Sequence, residues 1–420
     1  MADVVTLALL VIASILFFGF FAEFIFRRFK IPDVLFLIIL GFVLGPYVWG
    51  LVSPADLIDI APIFTTFALL FLLFDGAFNI SLSSLIREFS HSFGLTLFNF
   101  LISSILVMII MLIAGHSPLP ALLTGFLLGG VSSSFVIPVL KQLNLPSKIY
   151  SLLALESALT DVFCIVFSLT VIELITLGTF ALQSTVASIA SLFAVAGLIG
   201  LLAGVVWIIL ILKVFKEHNY IMAVAYLLMV YVLTEFLSGN GAIAALFFGL
   251  ILKNSKQLSS IIKGILTRSK SEKKKALKGD LGVSITTPSE EYFYHQLSFF
   301  LKTFFFVYIG ILIDLSDWKA LLVGGIISVV LLGSRFASFL LTKHEKPEYR
   351  ALVNSIFARG LAAAAVAQVA VQMAVPGAIF IAKVSYVVIT GTIILSSLHL
   401  FVVQKKYPSL APLPKVVGKK

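Results

Sequence analysis

The sequence predicts an all-α polytopic membrane protein of about thirteen transmembrane helices. Three observations predict it. The 420 residues are 60% hydrophobic and only 12% charged, with a mean hydropathy of +1.12, whereas a soluble domain is nearer half apolar and a quarter charged. Apolar runs of spanning length recur along the whole chain. The basic residues fall almost entirely between alternate runs, as bilayer orientation requires.

The runs lie near 4–26, 31–50, 61–80, 92–115, 119–141, 149–177, 184–213, 219–238, 240–253, 294–313, 318–342, 349–375 and 380–404. The first has no basic residues before it and no small-residue cleavage site after it, so it reads as an uncleaved helix. With the N-terminus outside, the inner segments hold 25 of the 30 Lys and Arg, including Arg27, Arg87, Lys148, Lys216, Lys343 and Lys405. The outer loops keep Lys319 and Lys383. This asymmetry predicts a cell-membrane protein with its N-terminus outside and its C-terminus cytoplasmic. Trp49 and Trp318 fall at the outer boundary, where interfacial anchors sit.

The net charge of +10 does not point to nucleic acid, because it is loop charge set by orientation. The single cysteine, Cys164, excludes an intramolecular disulfide and a multi-cysteine metal site. The segment 254–292 carries KSEKKKALKGD and TTPSEE without an apolar period. It reads as a solvated linker, or as a contact for anionic lipid through 254–278. The plan is then one transmembrane domain over 1–405, interrupted by that linker, and a short cytoplasmic tail, 406–420. No folded cytosolic domain is expected in the linker or after Lys405, and no glycine-rich nucleotide fingerprint is present.

Runs one to six and eight to thirteen form two six-helix halves around a connector, which predicts inverted repeats. The fifth run carries GGVSSS and Pro138, and the twelfth carries Arg359-Gly360, in corresponding places. Both contain residues able to interrupt a helix in mid-membrane, where freed backbone groups hold ions.

The sixth run holds the chemistry. It reads LLALESALTDVFCIVFSLTVI and carries Glu156 and Asp161 with Ser157 and Thr160 between them. Carboxylates at mid-membrane are functional candidates, because burying their charge is costly. Helical spacing puts Glu156 and Thr160 on one face and Ser157 and Asp161 on another. That division suits a structural acid on one side and an ion or proton site on the other.

These residues resemble a family. IPDVLFLIILGFVLGP, LLFDGAF, TEFLSGNGAIAALFFGLIL, FFFVYIGILID, ESALTD and FARGLAAAAVA stand in the order and spacing of monovalent cation/proton antiporters. They are most similar to the electroneutral NhaP-type sodium/proton branch. The likeness covers nearly the whole chain outside 254–292. It implies a core domain of runs four to six and eleven to thirteen, with crossing discontinuous helices, that moves in elevator fashion against a dimerisation domain. It also implies a homodimer. The sequence shows no metal-ligand spacing, and no cofactor is expected.

Residue by residue, the resemblance makes Asp161 the ion-binding aspartate and Ser157 its neighbouring ligand. It makes Glu156 the partner of Arg335 in a structural ion pair. Asp75 becomes an acid facing the site, and Val131 a backbone ligand at the fifth-run crossing. Two departures stand out. Thr160 replaces the family's asparagine, and Val131-Ser132-Ser133 replaces its Thr-Asp-Pro. The serine run is closer to the potassium-efflux branch, so Na⁺ and K⁺ both stay open. Ser132, Ser133 and Ser134 read as packing residues or secondary ligands.

A carboxylate in a half-hydrated cavity is pushed towards its protonated form, so Asp161 can hold a proton or a monovalent cation in turn. One titrating acid per site favours one-for-one, electroneutral exchange. Titration of Asp75 with it would change the stoichiometry. Arg359, beside Gly360, either balances helix ends at the crossing or pairs within the core. Lys302 is expected to snorkel to the cytoplasmic surface. Glu173 and Glu235 are expected to line a funnel or face solvent. No nucleophile–base arrangement argues for an enzyme. A potassium-efflux system, a channel of the same fold and a non-transporting ion sensor remain as alternatives.

Overall fold

The computed structural model describes residues 12–22, 32–58, 60–78, 82–177, 182–215, 220–256 and 287–410, with Thr6, Phe24 and Leu258. Most of the basic linker, 259–286, and the end of the tail, 411–420, lie outside the described residues, as do 7–11 and 25–31 of the first run and its flank.

The apolar runs become helices. They are α1 (Ile12–Ala22), α2 (Asp33–Leu44), α3 (Ala61–Phe78), α4 (Leu82–Ile113), α5 (Pro118–Leu127), α6 (Ser133–Lys141), α7 (Ser147–Leu177), α8 (Leu182–Ile209), α9 (Tyr220–Phe236), α10 (Gly241–Lys253), α11 (Pro288–Leu312), α12 (Trp318–Arg335), α13 (Pro347–Ser355), α14 (Leu361–Gln372) and α15 (Ala378–Lys406). Each of the thirteen runs contains helix, and two runs are divided. The fifth breaks at 128–132 into α5 and α6, and the twelfth breaks at 356–360 into α13 and α14. Pro138 is not the breaker: α6 continues through it. Six helical segments among the described residues are long and apolar enough to cross a membrane.

Local chemistry sets the helix ends. Pro118 and Pro347 occupy first-turn positions, where a missing N–H costs nothing. Thr287 and Glu290 form a reciprocal capping box at the start of α11, with bonds of 2.7 and 3.2 Å. Gly377 takes φ +77° immediately before α15, a conformation that favours glycine. Glu235, expected in a funnel or in solvent, accepts the Gly241 N–H at 2.8 Å and so caps α10.

The chain divides into two compact units. The first comprises Met1–Thr65, Ser90–Thr176 and Lys302–Lys420. Its spine is α15, which packs on α12, α13 and α14 and touches α2 and α5. Val384, Val388 and Ile389 are fully enclosed on it. Ser385 and Thr392 return their hydroxyls to carbonyls one turn back, so the helix buries them satisfied. α2 and α11 approach at paired glycines. A Cβ on Gly41 would lie 1.9 Å from the Val307 carbonyl, and one on Gly310 would lie 2.1 Å from that of Ile38. Small residues allow such close backbone contact.

At the same seam Lys302 Nζ meets Asp33 at 2.7 Å, with the two side chains 12% and 7% exposed. Snorkelling is therefore the wrong reading of Lys302. A buried partner on α2 holds the ammonium, because an ion pair offsets part of the desolvation that each charge would pay alone.

The second unit comprises Thr66–Phe89 and Leu177–Leu301. α10 packs against α8 and α9. Phe74 stands in an aromatic cluster with Phe78, Phe248 and Tyr294, at ring separations of 5.1 to 5.9 Å. Lys253 at the end of α10 pairs with Glu291 on α11 at 3.0 Å, which ties together the two ends of the basic linker.

Candidate functional site

Two breaks and one helix build the site, all in the first unit. The breaks meet. The Ser132 N–H donates to the Ala358 carbonyl at 2.9 Å, joining the two interrupted segments by their backbones. Gly360 makes this possible: a Cβ there would fall 1.9 Å from Ser132 Oγ. Arg359 is 2% exposed, and its Nη1 donates to the Gly130 carbonyl at 2.5 Å. Its charge thus lies beside the C-terminal end of α5, where helix carbonyls are unpaired and a cation is favoured.

α7 grips the first break along its length. Gly130 N–H reaches Cys164 Sγ at 3.1 Å. Val131 N–H donates to Thr160 Oγ1 at 3.0 Å, and that hydroxyl lies 3.2 Å from the Val131 carbonyl in return. Ser133 donates to Asp161 Oδ2 twice, from its amide at 3.0 Å and its hydroxyl at 2.5 Å. Backbone freed by the break is thereby satisfied inside the protein, the condition for irregular chain at membrane depth. Asp161 sits at the opening of α6, where the helix dipole favours a carboxylate.

Glu156 lives differently. It is 1% exposed and forms a two-pronged ion pair with Arg335; the Nη2–Oε2 bond is 2.7 Å. Asn99 Nδ2 donates to its Oε1 at 2.9 Å, and Ser338 Oγ donates to Asn99 Oδ1 at 2.9 Å. Arg335 Nε donates to the Val353 carbonyl at 2.8 Å. This buried network joins α4, α7, α12 and α13.

The helical-face grouping of the four α7 residues does not describe their partners. Thr160 shares a face with Glu156 in sequence, yet its hydroxyl serves the break beside Asp161. Ser157 is fully buried and returns its hydroxyl to the Ala154 carbonyl at 3.0 Å. Asp75 lies in the second unit, where its Oδ1 is 2.9 Å from His295 Nδ1. Sequence reasoning missed Asn99, Ser338 and the direct role of Ser133. An amide at mid-run in α4 was the available signal for Asn99. Among the described residues no group of three or more His, Cys, Asp or Glu is placed to hold a metal ion.

Interrupted apolar helices that meet beside a carboxylate define a class, the ion-coupled secondary transporters. The sequence matches the family described as "sodium/hydrogen exchanger, transmembrane" over residues 12–405, nearly the whole chain, and the chain belongs to that family. It is therefore a multi-pass membrane cation/proton antiporter and not an enzyme. The fold is similar to that of the sodium proton antiporter MjNhaP1 from Methanocaldococcus jannaschii, solved at pH 8. The TM-score is 0.73 at 20% identity, over 94% of this chain and 99% of that one. An electron-microscopy structure of the same antiporter gives a TM-score of 0.71 at 19% identity, over 99% of both chains. No curated protein sequence matches the chain.

Proposed function

We propose that the chain exchanges Na⁺ or K⁺ for protons, one for one, and that Asp161 carries them in turn. The observation that supports this best is the half-buried Asp161 carboxylate held against the opening of α6, at the break of the fifth run. A single carboxylate there binds a proton or a cation, not both, and that competition is enough for exchange. By the resemblance Val131, Ser132 and Ser157 would add neutral oxygens to the ion's shell. Thr160 acts indirectly, holding Val131 in place. Glu156 and Arg335 are structural, and Arg359 with Gly360 supports the crossing.

The remaining features rest on the resemblance and on the charge pattern. They are movement of the site in elevator fashion, a homodimer, the N-terminus outside and C-terminus cytoplasmic in a cell membrane, and contact of the basic linker with anionic lipid. By the resemblance Asp75 is an acid facing the site, and its titration together with Asp161 would raise the proton count above one.

The test is proton flux in proteoliposomes with a trapped pH dye. Na⁺, K⁺ and Li⁺ are added in turn, with and without a voltage clamp, for wild type and Asp161→Asn. Cation-driven flux that ignores voltage and disappears in Asp161→Asn is the expected outcome, and it names the ion. Flux that survives Asp161→Asn places the site elsewhere. Current without an opposing proton gradient would favour a channel, and ion-dependent stabilisation without flux a sensor.

A further inference from the structure

Resting on the reading of Asp161 as the exchange site, we propose that Ser133 sets how protons and cations compete there, by reserving one oxygen of the carboxylate. Both donors of Ser133 converge on Oδ2. Among the described residues Oδ1 accepts no hydrogen bond. The two oxygens of one side chain are thereby made unlike. A proton on Oδ2 would face an amide N–H that has no lone pair to accept it. A cation on Oδ2 would meet the positive end of α6. Exchange therefore runs through Oδ1, which offers the cation a single carboxylate oxygen.

Among the described residues, Ser133 is the hydroxyl that donates to the carboxylate. The amide of Ser132 is spent on Ala358, and its side chain lies against Gly360. The hydroxyl of Thr160 is spent on Val131. Among the described residues, Cys164 on α7 and Arg359 from the second break also face this region, and both bond to Gly130 rather than to the carboxylate.

Donors to a carboxylate favour its ionised form, which is the form that takes a cation. Removing the Ser133 hydroxyl leaves the amide bond and lets the proton compete better. The sign follows: cation binding weakens at fixed pH, and the pH of half-maximal exchange moves upward.

The experiment uses the full chain in proteoliposomes, with cation-driven proton flux measured across a pH series for wild type, Ser133→Ala, Ser133→Thr and Asp161→Asn. A charge-assisted hydrogen bond of ordinary strength predicts a roughly tenfold rise in apparent KM for Ser133→Ala and a displacement of its profile by about one pH unit. Ser133→Thr, which keeps the hydroxyl, should bring both back towards wild type. A Ser133→Ala profile and KM identical to wild type would overturn the proposal, as would folded Ser133→Thr protein that fails to restore either. Asp161→Asn separates the two levels. Flux surviving there removes the exchange site itself, whereas its loss beside an unmoved Ser133→Ala removes only the role of Ser133.

Discussion

Glu156 and Asp161 stand five residues apart on α7 and carry the same chemical group in opposite circumstances. Glu156 is sealed, with both oxygens engaged by Arg335 and one also by Asn99. Asp161 is half-buried, with one oxygen held by a single serine. A carboxylate whose partners are complete has nothing left to exchange. One whose partners are incomplete can take a proton or an ion and give it back. The surroundings, not the residue type, separate scaffold from site.

The largest effect should come from Asp161→Asn: cation-driven proton flux falls to background while the yield of folded protein stays near wild type. Glu156→Gln and Arg335→Ala should do the reverse. Each leaves a buried charge without its partner, a cost of roughly 3–5 kcal/mol. Both should lower the recovery of monodisperse protein and its thermal midpoint. Normal recovery with selective loss of transport would erase the distinction between the two acids.

A smaller effect sharpens the scaffold side. Asn99→Ala strands one oxygen of Glu156 from a donor and Ser338 from its acceptor, at a cost of about 1–3 kcal/mol. Made on top of Glu156→Gln it should cost less than alone, because the two residues share one network. Strictly additive thermal shifts would show that Asn99 works independently of the ion pair.

The smallest effect concerns a surface carboxylate. In the loop between α11 and α12, Lys383, Ser316 and Tyr47 hold the Asp314 carboxyl below the ordinary carboxylate range. A depressed carboxylate stabilises the folded state above the unfolded value, near 3.8, and loses that contribution as pH falls through its lower folded value. Asp314→Asn should therefore melt slightly below wild type at neutral pH, and the two should converge in acid. A gap that persists in strong acid would show that the contribution is not electrostatic.

Much of this was legible in the sequence because hydropathy and period report burial directly. The apolar runs became helices, and GGVSSS and Arg359-Gly360 marked both interruptions. The pairing of Glu156 with Arg335 followed from the resemblance. What stayed hidden depended on distance in sequence or on local offset. Nothing near Lys302 announces Asp33, 269 residues earlier. The break at 128–132 ends one residue before Ser133, so the residue that opens α6, and not Ser132, receives the carboxylate. Helical spacing placed Thr160 with Glu156, but spacing describes one helix in isolation and cannot show that a neighbouring segment is unwound and needs hydroxyls.

The Asp33–Lys302 pair also has a history. Synthesis at about 5–20 residues per second separates the two residues by roughly 13–54 s. During that interval the first turn of α2 has no ammonium to meet, and a lone carboxylate does not enter hydrocarbon in its charged form. α2 must therefore wait with Asp33 at the headgroups, or enter carrying a proton that it sheds when α11 arrives. The order in which the ribosome delivers the helices decides when this seam closes, and α11, a late arrival, completes a contact begun by one of the first.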